Sequence, residues 1–475
     1  MIEMMHDMSR LLDVNGVIQL VQCQSKGRYV IAKQFIPAGT ILFQDKSVIS
    51  IDLSGMDASI YTQLESIAND NYYDVTRLIQ VYNIIINNQQ QSIIQHFNTV
   101  KYSDANNMFE HIRRSVSEHL HNKVLTADQQ SLIAPVQLTA ILNILDTNCH
   151  ELIVPYDSSK SQLHVANNNM STDGLFPLLA MFNHSCIENC AFTAINDHTV
   201  SVSTINDINV GDEITVNYID SYYPNKLRRS YLSSVYGFQC NCECCTELII
   251  DKSRAFNCIN CNNGIVYQIY NQYICNSQSC QTVHNSSTVE LYELAERSAV
   301  DITHVNDNMS IQVDMNDGEQ INIDDIAVLL NSINEPIDRD INIHSSTSQL
   351  YRLLHPSHYS LHYAMELVGN EMFMCERYNG SISMCWMRIG NISLLYGTQH
   401  VHWRQAVEYD KLAQLYICRN DIDNAILAYQ HVYNINNKCF GDVPATQIAY
   451  RRSQQPPTTI TELADEYKLQ LNQID

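Results

Sequence analysis

Gly174-Leu175-Phe176-Pro177-Leu178-Leu179-Ala180-Met181-Phe182-Asn183-His184-Ser185-Cys186-Ile187-Glu188-Asn189-Cys190 is the most informative stretch of this sequence. An apolar run leads into Asn183, His184, Ser185 and Cys186. About thirty residues on, Gly211-Asp212-Glu213-Ile214-Thr215-Val216-Asn217-Tyr218 reads as a turn and a short strand that ends on a tyrosine. Tyr236-Gly237-Phe238-Gln239-Cys240-Asn241-Cys242-Glu243-Cys244-Cys245 follows, an aromatic pair joined to closely spaced cysteines.

Outward from this core, residues 17–51 alternate in the manner of strands, with turns at Lys26-Gly27 and Pro37-Ala38-Gly39-Thr40. Apolar residues recur at helical spacing from about 55 to 145, as in Leu64, Ile67, Val75, Leu78, Ile79 and Tyr82. The Asn-Asn-Gln-Gln-Gln run at 87–91 predicts a solvated loop. Short strands are predicted at 151–154, 163–166, 191–195 and 199–205, and a helix from near Pro224. Residues 301–345, rich in Asp, Asn and Ile, predict a partly ordered linker. From 346 onward helical periodicity dominates, and Leu412, Leu415, Ala425, Ile426, Ala428 and Tyr429 suggest a helix pair of the tetratricopeptide sort.

The chain has 475 residues, 45% of them hydrophobic, enough for two or three domains. No run of apolar residues is long enough for a membrane span. The opening MIEMMHDMSRLL reads as neither a secretory signal nor a transit peptide. A formal charge of −23 makes direct binding to nucleic-acid phosphates unexpected and a basic protein partner natural. Eight of the 16 cysteines fall between Cys240 and Cys280 in close pairs. Such pairs read as metal ligands of an intracellular chain, nuclear or cytoplasmic, rather than as a disulfide framework. Cys258-x2-Cys261 and Cys275-x4-Cys280 have the look of a two-hairpin zinc ribbon, with His284 as a substitute ligand. Cys23, Cys149, Cys190, Cys375, Cys385, Cys418 and Cys439 are expected to be small buried hydrophobes.

In order and spacing these elements resemble the SET domain's Asn-His-Ser-Cys, Gly-Glu-Glu-x-Tyr and cysteine-rich post-SET segments. Within that class they are most similar to the SET and MYND domain family of protein-lysine methyltransferases. Lys26-Gly27-Arg28 and Pro37-Ala38-Gly39-Thr40 match that family's opening turns, and Leu354-His355-Pro356 and Phe440-Gly441 are similar to its helical tail. The chain departs from the family in four places. Residues 51–140 contain no cysteine, so the MYND finger is absent. Glu188 stands where the family has proline, Tyr29 where it has a second glycine, and His150 where it has an aromatic residue.

The resemblance implies an α+β fold. A SET domain of short strands would occupy 1–239 with a helical insert at about 55–145. A zinc-binding post-SET segment would follow at 240–284, then a helix and acidic linker at 285–345 and a TPR-like helical domain at 346–475. It implies S-adenosyl-L-methionine as methyl donor and a lysine ε-amine of a protein, such as a histone tail, as acceptor, with the chain acting as a monomer. The alternative is an inactive SET scaffold serving as an interaction module. Carried over by motif position, Tyr218 lies beside the transferring methyl and Tyr236 walls the lysine channel. Asn183, His184, Lys26, Arg28, Asn148 and Phe238 hold the cofactor. Cys186 joins Cys240, Cys242 and Cys245 around a structural zinc, with Cys244 competing for the third post-SET place and Cys245 preserving the family's spacing.

Overall fold

The computed structural model describes residues 16–23, 27–49, 56–97, 108–152, 172–196, 198–219, 222–246, 249–261, 263–303, 322–333, 341–342, 344–397 and 401–467. Lys26 and the strand expected at 163–166 lie outside them.

Alternating side chains give the first strands. β1 (Ile18–Cys23) pairs antiparallel with β2 (Gly27–Ala32), and Val30 and Ala32 turn inward. β3 (Ile41–Lys46) follows the Pro37–Thr40 turn. Six helices come next: α1 (Ala58–Asp70), α2 (Val75–Ile86), α3 (Gln90–His96), α4 (Met108–Lys123), α5 (Ala127–Leu132) and α6 (Pro135–Asn148). Asp57 and Asp74 cap α1 and α2, Thr126 and Gln129 form a capping box on α5, and Pro135 opens α6. Leu64, Leu78, Val116 and Leu142 close a core over Ile49 and Leu175. Within it Asp146 collects Arg113 at 2.6 Å, Arg77 at 3.4 Å and the Tyr73 hydroxyl at 2.7 Å, so the buried Arg113 guanidinium has a counter-charge. The loop expected at 87–91 is shorter than that. α3 starts at Gln90 because Ile93 enters the core one turn later and draws Gln90 in with it.

β4 (Cys149–Leu152) pairs with β5 (Thr172–Leu175), a 3-10 turn spans Leu179–Met181, and β6 (Asn183–His184), β7 (Cys190–Asn196), β8 (Thr199–Thr204) and β9 (Glu213–Val216) complete the sheets. One sheet has the order β1-β2-β9-β6, with β6 parallel to β9; another has the order β3-β8-β7. α7 (Asn225–Val235) begins after Pro224, which is its N-cap residue. β10 (Phe256–Asn257), β11 (Ile265–Ile269) and β12 (Gln272–Cys275) form a small antiparallel sheet around the later cysteines.

The remainder is helical: α8 (Ser286–Thr303), α9 (Ile323–Ser332), α10 (Thr347–Tyr351), α11 (Tyr359–Met374), α12 (Tyr378–Tyr396), α13 (Trp403–Cys418), α14 (Ile422–Phe440), α15 (Pro444–Gln454) and α16 (Ile460–Tyr467). α9 corrects the expected linker. Its Ile326, Leu329 and Leu330 recur at helical spacing and bury against Leu361 and Met365 of α11. Among the described residues no helix is long and apolar enough to cross a membrane.

The C-terminal helices dock on the strand region at several places. Val432, Ile435 and Phe440 of α14 pack on Ala191 of β7 and on Ile205. Tyr222 and Tyr223, just after the tyrosine strand, stack on His362 and Tyr363 of α11 with centroids 3.9 and 5.1 Å apart. The Pro37–Thr40 turn meets the end of α14 backbone to backbone. A Cβ on Gly39, at φ +80°, would lie 3.1 Å from the Lys438 carbonyl oxygen. Gly211, at φ +85°, has open space instead. Gly39→Ala and Gly211→Ala share the left-handed strain, so their difference isolates this contact. In urea unfolding, Gly39→Ala is expected to cost about 1–3 kcal/mol and more than Gly211→Ala.

Candidate active site and cysteine clusters

The parallel pairing of β6 with β9 sets Asn183 beside Thr215 and His184 beside Val216. The ladder stops there, and side chains take over. The His184 Nδ1 accepts the Tyr218 backbone N–H at 3.1 Å. With Nδ1 acting as acceptor, Nε2 is the ring's donor nitrogen, and it faces the Cys186 sulfur at 3.2 Å. The Tyr218 hydroxyl donates to the Phe182 carbonyl, which leaves its oxygen lone pairs as acceptors. Burial, and next the Glu213 charge, push the Tyr218 phenol well above its ordinary value, so it stays neutral. The Asn183 amide donates to the Glu213 carboxylate at 2.9 Å.

Tyr236 and Phe238 arrive at the same place from the end of α7. Gly237 between them sits at φ +71°, and both flanking N–H groups return to the Leu232 carbonyl, at 3.1 and 3.4 Å. The Tyr236 ring stands 5.0 Å from Tyr218, and Phe238 stands 6.1 Å from His184. Directly after them the chain is held by sulfur. The Sγ atoms of Cys186, Cys240, Cys242 and Cys245 all lie within 4.8 Å of one another, with Cys186 and Cys245 at 3.6 Å. Four sulfurs about 2.3 Å from a tetrahedral zinc stand about 3.8 Å apart, so the set fits that ion and is too wide for disulfides. Cys245 rather than Cys244 stands in the set. Arg228 of α7 is buried beside it. Burial would lower its pKa, but Asp251 and the neighbouring thiolates outweigh that and raise it.

Cys258, Cys261, Cys275 and Cys280 form a second set within the same 4.8 Å limit, with pairs at 3.7 and 3.8 Å. His284 stands against Cys258 at 3.6 Å, outside the four sulfurs. Gly264 lets the two hairpin ends close on each other, since a Cβ there would sit 2.2 Å from the Cys275 sulfur. Of the cysteines expected to be buried hydrophobes, Cys375 is exposed and Cys23 and Cys418 are half-buried. Cys375 lies at the C-cap of α11, on the short turn that joins it to α12.

The other expected cofactor residues divide. Arg28 is the second residue of β2 and is half-buried, which lowers its pKa. Continuing the β2–β9 register brings it level with Val216 and hence with His184. Asn148 turns back on its own helix, donating to the Ile144 carbonyl at 2.9 Å. Among the described residues no contact joins Asn148 to Asn183, His184 or Phe238. Its near neighbour His150 does reach the site, with its ring 6.1 Å from Tyr218 and edge-on to it. Burial, then the Arg77 charge, hold this histidine down at about 4, so it is neutral at physiological pH. The sequence reading noted His150 only as a replaced aromatic.

It also passed over Asp45, the buried carboxylate of β3 that accepts the N–H groups of Leu178 and Leu179 at 2.7 and 2.9 Å. Those bonds start the 3-10 turn that delivers Asn183. The alternation of β3 offered the signal, because Asp45 falls on a buried position between polar neighbours.

A family model described as "SET domain" matches residues 27–219. The chain carries a SET domain. Cys186 falls inside that match, while the other seven cysteines of the two clusters, Tyr236, Phe238 and α8 to α16 lie beyond it. A SET and MYND domain-containing protein of Dictyostelium discoideum is 39% identical over 82 residues, 17% of this chain and 24% of that protein. Histone-lysine N-methyltransferase SET5 of Vanderwaltozyma polyspora is 33% identical over 104 residues, 21% of either chain. The chain thus spans a quarter or less of these two relatives. A crystal structure of the SET domain of LSMT bound to methyllysine and AdoHcy aligns over 97% of this chain and 94% of its own, at 12% identity and a TM-score of 0.32.

Two outcomes follow for the SET domain and its cysteine-rich neighbour. Metal analysis of the purified protein is expected to find two zinc ions per chain, and one in Gly264→Ala, whose added Cβ displaces the Cys275 sulfur. For Asp45, burial raises the carboxyl from 3.8 to about 6, against the backbone N–H bonds that lower it. Its contribution to stability is therefore present in full below 3.8 and is lost as pH rises through about 6, a change of roughly 3 kcal/mol. Asp45→Asn can keep both N–H bonds on one oxygen. In unfolding measurements from pH 4 to 7 it is expected to flatten that part of the profile.

Proposed function

We propose that the chain transfers a methyl group from S-adenosyl-L-methionine to a lysine ε-amine of a protein. The observation that carries this reading is the convergence of Tyr218, Tyr236, His184 and Phe238, from three separate segments, on one cysteine-tied locus. When bound, S-adenosyl-L-methionine supplies an electrophilic methyl on a sulfonium centre. The protein's own residues need only hold donor and acceptor in line and keep water out.

Asn183, His184, Arg28 and Phe238 suit the cofactor side. They bring a backbone rung, a cation near a strand end and an aromatic face to one edge of the sheet. Tyr218 suits the point of transfer. It is neutral, its proton is committed to Phe182, and its oxygen is free to accept weak C–H contacts from a polarised methyl. Tyr236 and Tyr218 present aromatic faces to a cationic side chain. The substrate lysine arrives as a cation, and His150, held neutral beside Tyr218, adds no positive charge to repel it. The net charge of −23 favours a basic substrate, a histone tail among them.

The cysteine clusters support this chemistry without entering it. With metal bound, Cys186, Cys240, Cys242 and Cys245 would fix Tyr236 and Phe238 against β6.

Tyr218→Phe is the test. With a lysine-containing peptide and labelled S-adenosyl-L-methionine, kcat is expected to fall roughly a hundredfold or more, while calorimetry shows cofactor binding close to that of the parent. Unchanged turnover in the variant, or no transfer to lysine by the zinc-loaded parent, would contradict the proposal.

A further inference from the structure

Tyr218 lies two residues beyond the last rung of β9, so the sheet itself does not hold it. Its own N–H goes to the His184 ring. The residues on either side of it are held differently. The Asn217 Oδ1 accepts the Ile219 N–H at 3.0 Å, closing a small turn around Tyr218. The Asn217 amide nitrogen donates to Glu188 Oε2 at 3.3 Å, and Glu188 Oε1 accepts from His402 Nε2 at 3.0 Å. The His402 Nδ1 in turn accepts the Arg404 N–H at 3.3 Å and caps α13. That capping bond makes Nε2 the protonated nitrogen, so every donor in the chain of contacts meets an acceptor.

Both Glu188 and His402 are buried, 4% exposed each, and Tyr396 stacks on the His402 ring at a centroid distance of 3.7 Å. A carboxylate at this depth is costly unless it is paired on both oxygens, and here each oxygen has its own donor. Proline, which the related family carries at this position, could make neither contact.

We infer that Glu188, bridged to His402 of the helical region, is a positioning residue for the reaction: through Asn217 it fixes the turn that aims Tyr218. This inference rests on the role proposed above for Tyr218. It gives α13 a task at the active site, although none of its residues reaches Tyr218 directly. A pair serving stability alone would change the unfolding midpoint and leave the Asn217 turn and the catalytic constants as they were.

Glu188→Gln sets a donor against a donor on one side or the other, because His402 and Asn217 both donate to it. The Ile219 amide is expected to exchange with deuterium at least about tenfold faster. With S-adenosyl-L-methionine and a histone H3 tail peptide, kcat is expected to fall about tenfold and both KM values to stay within about twofold. The double variant E188Q/N217D reverses the polarity of one bond, letting the introduced side-chain amide donate to the introduced carboxylate. It is expected to restore both Ile219 protection and kcat. His402→Asn keeps a good N-cap for α13 but loses the Nε2 donor, and should match the single Glu188 variant in a protein of normal helix content. Wild-type Ile219 exchange in both single variants would overturn the inference, as would wild-type kcat in both. Should the parent transfer no methyl to the peptide, the proposed activity fails, while the exchange data still decide whether Glu188 holds the Asn217 turn.

Discussion

Four sulfur atoms within 4.8 Å of one another are the constraint on which the site depends. Cys186 lies two residues after His184, and Cys240 lies two after Phe238. Drawing these thiols together brings the end of β6 and the end of α7 into register, and the four aromatic rings between them follow. No hydrophobic core of ordinary size does this work there. Among the described residues, the cluster around Cys186 and Cys240 has Ile219 and Leu232 as its buried aliphatic partners. In a segment with so little apolar surface, a metal on these four sulfurs would supply the missing restraint, as it does in other small cysteine-rich units.

Around that clamp the molecule is arranged as support. The helical core over Ile49 and Leu175 stabilises β4 and β5, and through them places His150. Asp45 starts the turn that delivers Asn183. The C-terminal helices reach both sides of Tyr218, by Glu188 and His402 before it and by the Tyr222 and Tyr223 stacks after it. The tyrosine at the end of β9 is therefore positioned by side chains contributed from distant parts of the chain. Strand hydrogen bonds alone would leave it free to turn.

Much of this was legible in the sequence because it is local. The Asn183–Cys186 run, the Tyr218 strand and the two cysteine sets are short patterns whose residue types state their chemistry. Strand alternation and helical periodicity likewise survive in short windows, and α1, α2 and α6 are found where the pattern puts them. What was not legible depends on pairings across long separations. Glu188 and His402 are 214 residues apart, and neither residue alone names the other. α9 was obscured by its Asp and Asn content, since those residues lie on its solvent side while Ile326 and Leu329 face inward. Gln90 was misjudged for a related reason: composition marks a polar run, but packing one turn later decides where the helix starts.

Sulfur ligation at Cys186 would organise the end of β6 that is proposed to hold the cofactor. Calorimetric titration of S-adenosylhomocysteine into Cys186→Ser, beside the parent protein, tests it most directly. The variant is expected to carry one zinc instead of two and to bind at least about tenfold more weakly. An unchanged Kd in a variant that has lost that zinc would contradict it.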